Sequence, residues 1–310
     1  MNQISLQDAV PSPLTMKRWS LFSSGNYPYL CARVRARRAS LLPNDMYRKL
    51  LVMDTYQITR FLGESTYKKE ITELGVKATG FQLIDLALNR NIAEVYQQIL
   101  GYSEGDLTKL LSAYLQREDV WNIKTILRGK SYNAKPDEIM KAIRSTGRYP
   151  ESYWQNIVQQ SKTVQEAIEL LKGNDYFDII NAFKEDWEAH PDVCENKLEQ
   201  AYYHFLLNSI HDRSEPNRLF LEFVREEIDL VNIKTLLMTK YESVEPATIA
   251  SMILTGGKIL QKTMQRLINA PDFKQFLEEL HSIPEYQTIR DSIGTIEQTS
   301  SLSHIIRALE

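Results

Sequence analysis

The sequence predicts an all-α fold, and three observations carry that reading. Glycine (12) and proline (11) are few in 310 residues, and they sit mostly at the ends of long amphipathic stretches. Apolar residues recur at three- and four-residue spacing, with no convincing series of alternating stretches. An eighteen-residue block returns 110 positions later: DVWNIKTILRGKSYNAKP at 119–136 and DLVNIKTLLMTKYESVEP at 229–246.

Eight of the eighteen positions are identical, among them Asp119/Asp229, Asn122/Asn232, Lys130/Lys240 and Pro136/Pro246. The register holds to Tyr176 and Tyr286. A repeat of this length must be placed before a fold is argued. Each block reads as the end of a long helix, a turn, and a new helix with its proline in the first turn, where a missing N–H costs nothing. Asn122 and Asn232 are poor helix-interior residues, since their amides compete for backbone hydrogen bonds. Their return predicts a buried amide bonded to a neighbouring helix. A third copy precedes them. Val34 to Pro43 leads into a helix ending near Phe61, and Tyr67-Lys-Lys-Glu-Ile71 matches Tyr176-Phe-Asp-Ile-Ile180. Its shorter proline-to-tyrosine gap predicts that a helix hairpin near 147–160 is missing there. The reading is three helical units in series, at 1–130, 131–240 and 241–310. The third lacks its long helix, and a full third repeat would bring the chain to roughly 340–350 residues.

In order, residues 1–20 look irregular, with Pro11 and Pro13. A first helix carries Arg33, Arg35, Arg37 and Arg38 opposite Val34, Leu41 and Leu42. Residues 44–62 read as one amphipathic helix, with Met46, Leu50, Met53 and Phe61 inward. Residues 81–100 follow, with Ile84, Leu88, Ile92, Val95, Tyr96 and Ile99 at helical spacing. After a break at 101–105, Ser103 or Asp106 caps a long helix through Leu107, Leu110, Leu111 and Tyr114. Gly129 and the following Ser-Tyr-Asn-Ala-Lys-Pro run end it. The second unit then reads as helices at 137–144, 152–160, 164–171, 198–210 and 217–238. The third has helices at 247–254, 260–269 and 273–280, and a last one from about Thr295.

The charge of −3 gives no electrostatic case for nucleic acid. Cys31 and Cys194 offer no disulfide framework and fit a reducing compartment. No secretory signal is evident and no apolar run approaches 18 residues, so any membrane link comes through a partner. Glu278-Glu-Leu-His281 has one E-x-x-H without the second that a di-iron site needs. His204 and His211 share a face but lack a third ligand in register. Gly256-Gly-Lys258 fails as a phosphate loop, because position 252 is Met and no strand precedes it. Glu185-Asp-Trp-Glu188 reads as a solvated acidic cluster. No G-x-S-x-G or D-D-x-x-D motif is present. What recurs is packing and turn residues, so no catalytic residue, metal or cofactor is expected.

Three further motifs occur in order: Tyr27-Pro-Tyr-Leu-Cys-Ala-Arg-Val-Arg-Ala-Arg37, Leu41-Leu-Pro43, and Phe61-Leu-x-x-Ser-Thr-Tyr-Lys-Lys-Glu70. With the N-I-K-T-[IL]-L segments, they resemble the C subunits of the archaeal and bacterial A/V-type ATPases, which are related to the d subunit of the eukaryotic vacuolar enzyme. The resemblance covers essentially the whole chain. Met238-Thr-Lys240 departs from Arg128-Gly-Lys130, and the final asparagine-bearing helix is missing. The resemblance implies a non-catalytic, pseudo-threefold funnel peripheral to the cytoplasmic face of the membrane. Its cavity would receive the central shaft, made of the D and F subunits, and its base would sit on the proteolipid ring. Candidate partner-binding residues are Arg33, Arg35, Arg37, Arg128, Lys130 and Lys240, at equivalent helix ends. Pro43, Pro136, Pro246, Asn122 and Asn232 mark the structural repeat. The alternative is a helical-repeat adaptor that binds a partner helix or peptide on a concave face.

Overall fold

A computed structural model describes residues 25–211 and 214–283. These residues are helical throughout, with turns and no strand among them, so the all-α reading holds. They form two compact units, one up to Pro191 and one from Asp192.

The first unit opens with α1 (Tyr27–Arg38), α2 (Asn44–Leu50), α3 (Thr55–Gly63) and α4 (Lys68–Leu74). The single helix expected over 44–62 is two. Asp54 accepts from the Gln57 backbone N–H at 2.8 Å, and Gln57 Oε1 accepts from the Asp54 N–H at 3.0 Å. This capping box starts a new helix and turns the chain. α3 and α4 pack on α5 (Gly80–Tyr102), closing a core of Leu62, Ile71, Ala78, Leu83, Ile84 and Ala87. The inward face of α5 is narrower than its spacing suggests, since Leu88 and Ile92 stay exposed.

α6 (Asp106–Ser131) starts at Gly105, with no side-chain cap. Ser103 instead donates its hydroxyl to Leu100 O at 2.8 Å and shares a hydroxyl–hydroxyl bond with Thr108 Oγ1 at 3.0 Å. Gly129 does not break α6 but lies inside it. A Cβ at that position would come within 2.6 Å of Ile139 Cγ1, so the glycine lets the next helix close in. The helix ends at Tyr132. Asn133 adopts φ 54°, Ala134 N–H reaches back to Gly129 O, and Asn133 N–H to Lys130 O. This is a Schellman turn. It repeats 110 residues later, with Ser243 at φ 56° and bonds Val244 to Thr239 and Ser243 to Lys240. Asparagine tolerates that left-handed backbone; serine holds it at a cost of about 1 kcal/mol.

Four short helices follow: α7 (Pro136–Lys141), α8 (Glu151–Gln160), α9 (Val164–Leu170) and α10 (Phe177–Ala182). Three helices, α2 to α4, fill the same interval in the first copy, one fewer. α9 packs on α6, and the Tyr176 hydroxyl donates to Gln116 Oε1 at 2.9 Å.

The second unit holds α11 (Pro191–Ser209), α12 (Glu215–Tyr241), α13 (Pro246–Met252), α14 (Gln261–Asn269) and α15 (Phe273–His281). Tyr203 Oη donates to Glu227, and Asn196 Nδ2 to Met252 O, so α11 is tied to α12 and to the end of α13. The core gathers Ile233, Leu236, Leu237, Ile249, Leu267, Phe276 and Leu280. Pro136 and Pro246 each stand at the start of a helix, whereas Pro43 caps α2 from one position earlier. The long helices α6 and α12 pack with the short helices after them, so packing runs across residues 130 and 240. Tyr286 and the helix expected from Thr295 lie outside the described residues, as do residues 1–20.

Candidate functional site

Asp119, Asn122, Ile126 and Lys130 are spaced three, four and four apart, which places them on one stripe of α6. Asp229, Asn232, Leu236 and Lys240 form the same stripe on α12. Aspartate and asparagine are costly in mid-helix unless their side chains are used. Both stripes use them on the chain that follows, at nearly identical sequence separation.

The Asp119 carboxylate accepts from Arg148 N–H at 2.7 Å and Tyr149 N–H at 3.3 Å. Asp229 accepts from Lys258 N–H at 2.7 Å and Ile259 N–H at 3.0 Å. Asn122 binds one residue both ways: Nδ2 donates to Arg144 O at 2.7 Å, and Oδ1 accepts from Arg144 N–H at 2.8 Å. Asn232 does the same to Leu254, at 2.9 and 2.8 Å. The amides therefore hold a loop backbone, not a neighbouring helix. In a loop the peptide groups have no ladder partners and are available to a side chain.

Lys130 and Lys240 complete the pattern, and both are turned inward, whereas the sequence reading has them as candidates for binding a partner. Lys130 Nζ donates to Val158 O and Ser161 O, both at 2.7 Å, at the end of α8. Lys240 Nζ donates to Ala270 O at 2.8 Å, at the end of α14. Both lysines are buried, and each caps the C-terminus of a short helix, where carbonyls lack intrahelical partners. Burial pulls both ammonium groups below the usual lysine range.

The carboxylate thus fixes the residues leading into the short helix, and the lysine fixes its end. Eleven residues of α-helix span about 16 Å, and a ten-residue helix about 15 Å. The strap and the strapped helix match in length. Gly147 and Gly257, also 110 apart, make room for it. A Cβ on Gly147 would fall 2.1 Å from Asp119 Oδ1, and one on Gly257 would fall 1.9 Å from Asp229 Oδ1. This close approach explains Gly257; its neighbour Gly256 has φ 102°, and a Cβ there would fall 2.4 Å from Leu207 Cδ1. The sequence reading has Gly147 as a hairpin break and Gly257 as part of a failed phosphate loop, and does not pair them, although the 110-residue offset alone would do so.

The first copy is strapped differently. Counting back from Pro43, the position of Asp119 falls on Asn26 and that of Lys130 on Arg37. Asn26 Nδ2 donates to Tyr102 O at 2.8 Å, and its Oδ1 accepts from Glu104 N–H at 3.1 Å, so it ties the turn between α5 and α6. Arg37 is half-buried and donates to the Gln98 side chain on α5. Arg33 stacks its guanidinium 4.2 Å from the Tyr102 ring centre. Arg35 and Arg128 are exposed. Arg33, Arg35 and Arg37 share α1, while Arg128 stands near the end of α6.

The Asp119 carboxyl is pushed up to about 7, first by burial, against the lowering effect of the two N–H bonds; the nearby Asp175 charge adds to the rise. In the stripes, acid, amide and ammonium are all spent on backbone groups of the same chain.

Comparison with known proteins places this architecture. Residues 30–310 match the family model described as ATP synthase (C/AC39) subunit. The C subunit of the A-type ATP synthase of Methanococcoides burtonii is 36% identical over 301 residues, covering 91% of this chain and 83% of that protein. Its counterpart in Methanosarcina acetivorans is 36% identical over 282 residues, covering 90% and 76%. That of Archaeoglobus fulgidus is 33% identical over 255 residues, covering 82% and 72%. The chain belongs to the family of ATP synthase (C/AC39) subunits.

Proposed function

We propose that this chain is the non-catalytic central-stalk socket of an A/V-type rotary ATPase. It couples the shaft, made of the D and F subunits, to the membrane proteolipid ring for ATP-linked proton or sodium transport. Family membership supports the rotary complex. The observation that supports a mechanical role is the repeated strap. Asp119 and Asp229, and Lys130 and Lys240, recur at 110-residue spacing and are turned onto backbone, where they lock short helices to long ones. A part that transmits torque needs that stiffness, and close-packed helices with satisfied polar groups supply it. Three units in pseudo-threefold array would form the funnel, peripheral at the cytoplasmic face, with the shaft foot in its cavity. Arg33, Arg35, Arg37 and Arg128 are the candidates for gripping the shaft; Lys130 and Lys240 are committed internally.

The test is association of the full-length chain with purified D and F subunits, followed by size exclusion with light scattering. A stoichiometric complex at ordinary salt and without nucleotide is expected. A folded full-length chain that binds neither shaft protein overturns the coupling role and favours the peptide-binding adaptor.

A further inference from the structure

The segment from Arg33 to Arg60 stands apart from the rest of the chain. It holds seven arginines and lysines against two aspartates, inside a protein of net charge −3. Its aspartates are engaged: Asp54 caps α3, and Asp45 lies 3.8 Å from Lys49. Arg35, Arg38 and Arg48 have no ion pair among the described residues. Arg60 is paired with Glu64, just beyond the segment, and the remaining excess of cations leaves the local field positive.

The same segment exposes its apolar side chains. α2 buries none of its residues. Leu51 and Val52, in the turn that ends it, are each 85% exposed. Tyr56 is 75%, Leu41 65% and Tyr47 53% exposed. Two adjacent aliphatic side chains at a tight turn form a projection, not a cleft. A projection of this kind does not enclose a partner helix or peptide. It does suit a surface that yields. Tyrosines on either side and cations alongside are the chemistry of the bilayer interface, where aliphatic tips enter the acyl boundary and arginine or lysine meets anionic headgroups.

We infer that the α2–α3 turn, with Leu51 and Val52 at its tip and Arg48 and Lys49 beside them, touches an anionic lipid surface directly. The contact goes beyond the shaft-and-ring role, and would orient the protein on the membrane in addition to any protein partner.

Flotation of the full chain with vesicles tests it, comparing phosphatidylcholine alone with phosphatidylcholine containing phosphatidylglycerol. Binding is expected with the anionic vesicles alone. Leu51→Ser with Val52→Ser should weaken it about tenfold. Arg48→Gln and Lys49→Gln should each weaken it about fivefold. These side chains are exposed, so urea midpoints and association with the shaft proteins should stay unchanged; that separates this failure from failure of the coupling role. Absent vesicle binding, or binding indifferent to the four substitutions, overturns the proposal. So does a chain that ignores vesicles but loses affinity for purified ring on Leu51→Ser, which would make the turn a protein-docking face.

Discussion

Replacing Asp119 by alanine is expected to destabilise the first unit by about 3 kcal/mol, since the buried Tyr149 N–H and the part-buried Arg148 N–H lose their acceptor at about 1–3 kcal/mol each. Arg148 and Tyr149 have no ladder partner to fall back on, because they lie in the loop that leads into α8. The same carboxyl gives the effect a pH signature. Its pKa is raised to about 7 in the folded protein. Between an ordinary aspartate value of about 4 and this one, the folded chain holds a proton that the unfolded chain has released. That contribution is fully present below about pH 4 and is lost as pH rises through about 7. From pH 8 down to pH 6, this group should therefore add about 1 kcal/mol of stability. Urea unfolding at the two pH values, for the wild type and Asp119→Ala, reads both effects. The variant should show the lower midpoint and a flatter pH dependence.

Lys130→Met is the second large effect, expected to cost about 2–4 kcal/mol. Methionine fills most of the volume but donates nothing. Val158 O and Ser161 O, at the end of α8, then stay buried without the ammonium that caps them. Replacing an exposed lysine normally changes stability by less than about 0.5 kcal/mol. Thermal unfolding of Lys130→Met beside Lys135→Met separates these cases, since Lys135 lies in an exposed turn. A difference near zero would return Lys130 to the candidates for binding a partner.

Much of the fold is legible in the chain because helical spacing and a 110-residue repeat are both written there. The repeat also points at the right positions: Asp119, Asn122 and Lys130 recur because each holds the same piece of backbone. Their roles are not legible. A lysine that caps a helix 28 to 31 residues later has the same sequence signature as a lysine in solvent. The helical context of Asn122 suggests a helix as its partner, but the partner is a loop peptide at Arg144, which no periodicity reveals. The break at Asp54 is hidden for a different reason. Apolar spacing continues across it, and the capping box that makes it needs one aspartate and one glutamine. Gly129 reads as a terminator in any sequence, yet here it only admits Ile139.

Amide hydrogen exchange of the full-length chain, resolved by residue, tests the central claim that the repeated stripes lock loops and short helices onto the long helices. The amides of Arg144, Arg148 and Tyr149, and of Leu254, Lys258 and Ile259, should exchange as slowly as those of Ile126 and Leu236 in the cores of α6 and α12. If these six loop amides instead exchange at the rate of an open turn, the straps are not formed in solution. The stiffness on which the coupling role rests would then be absent.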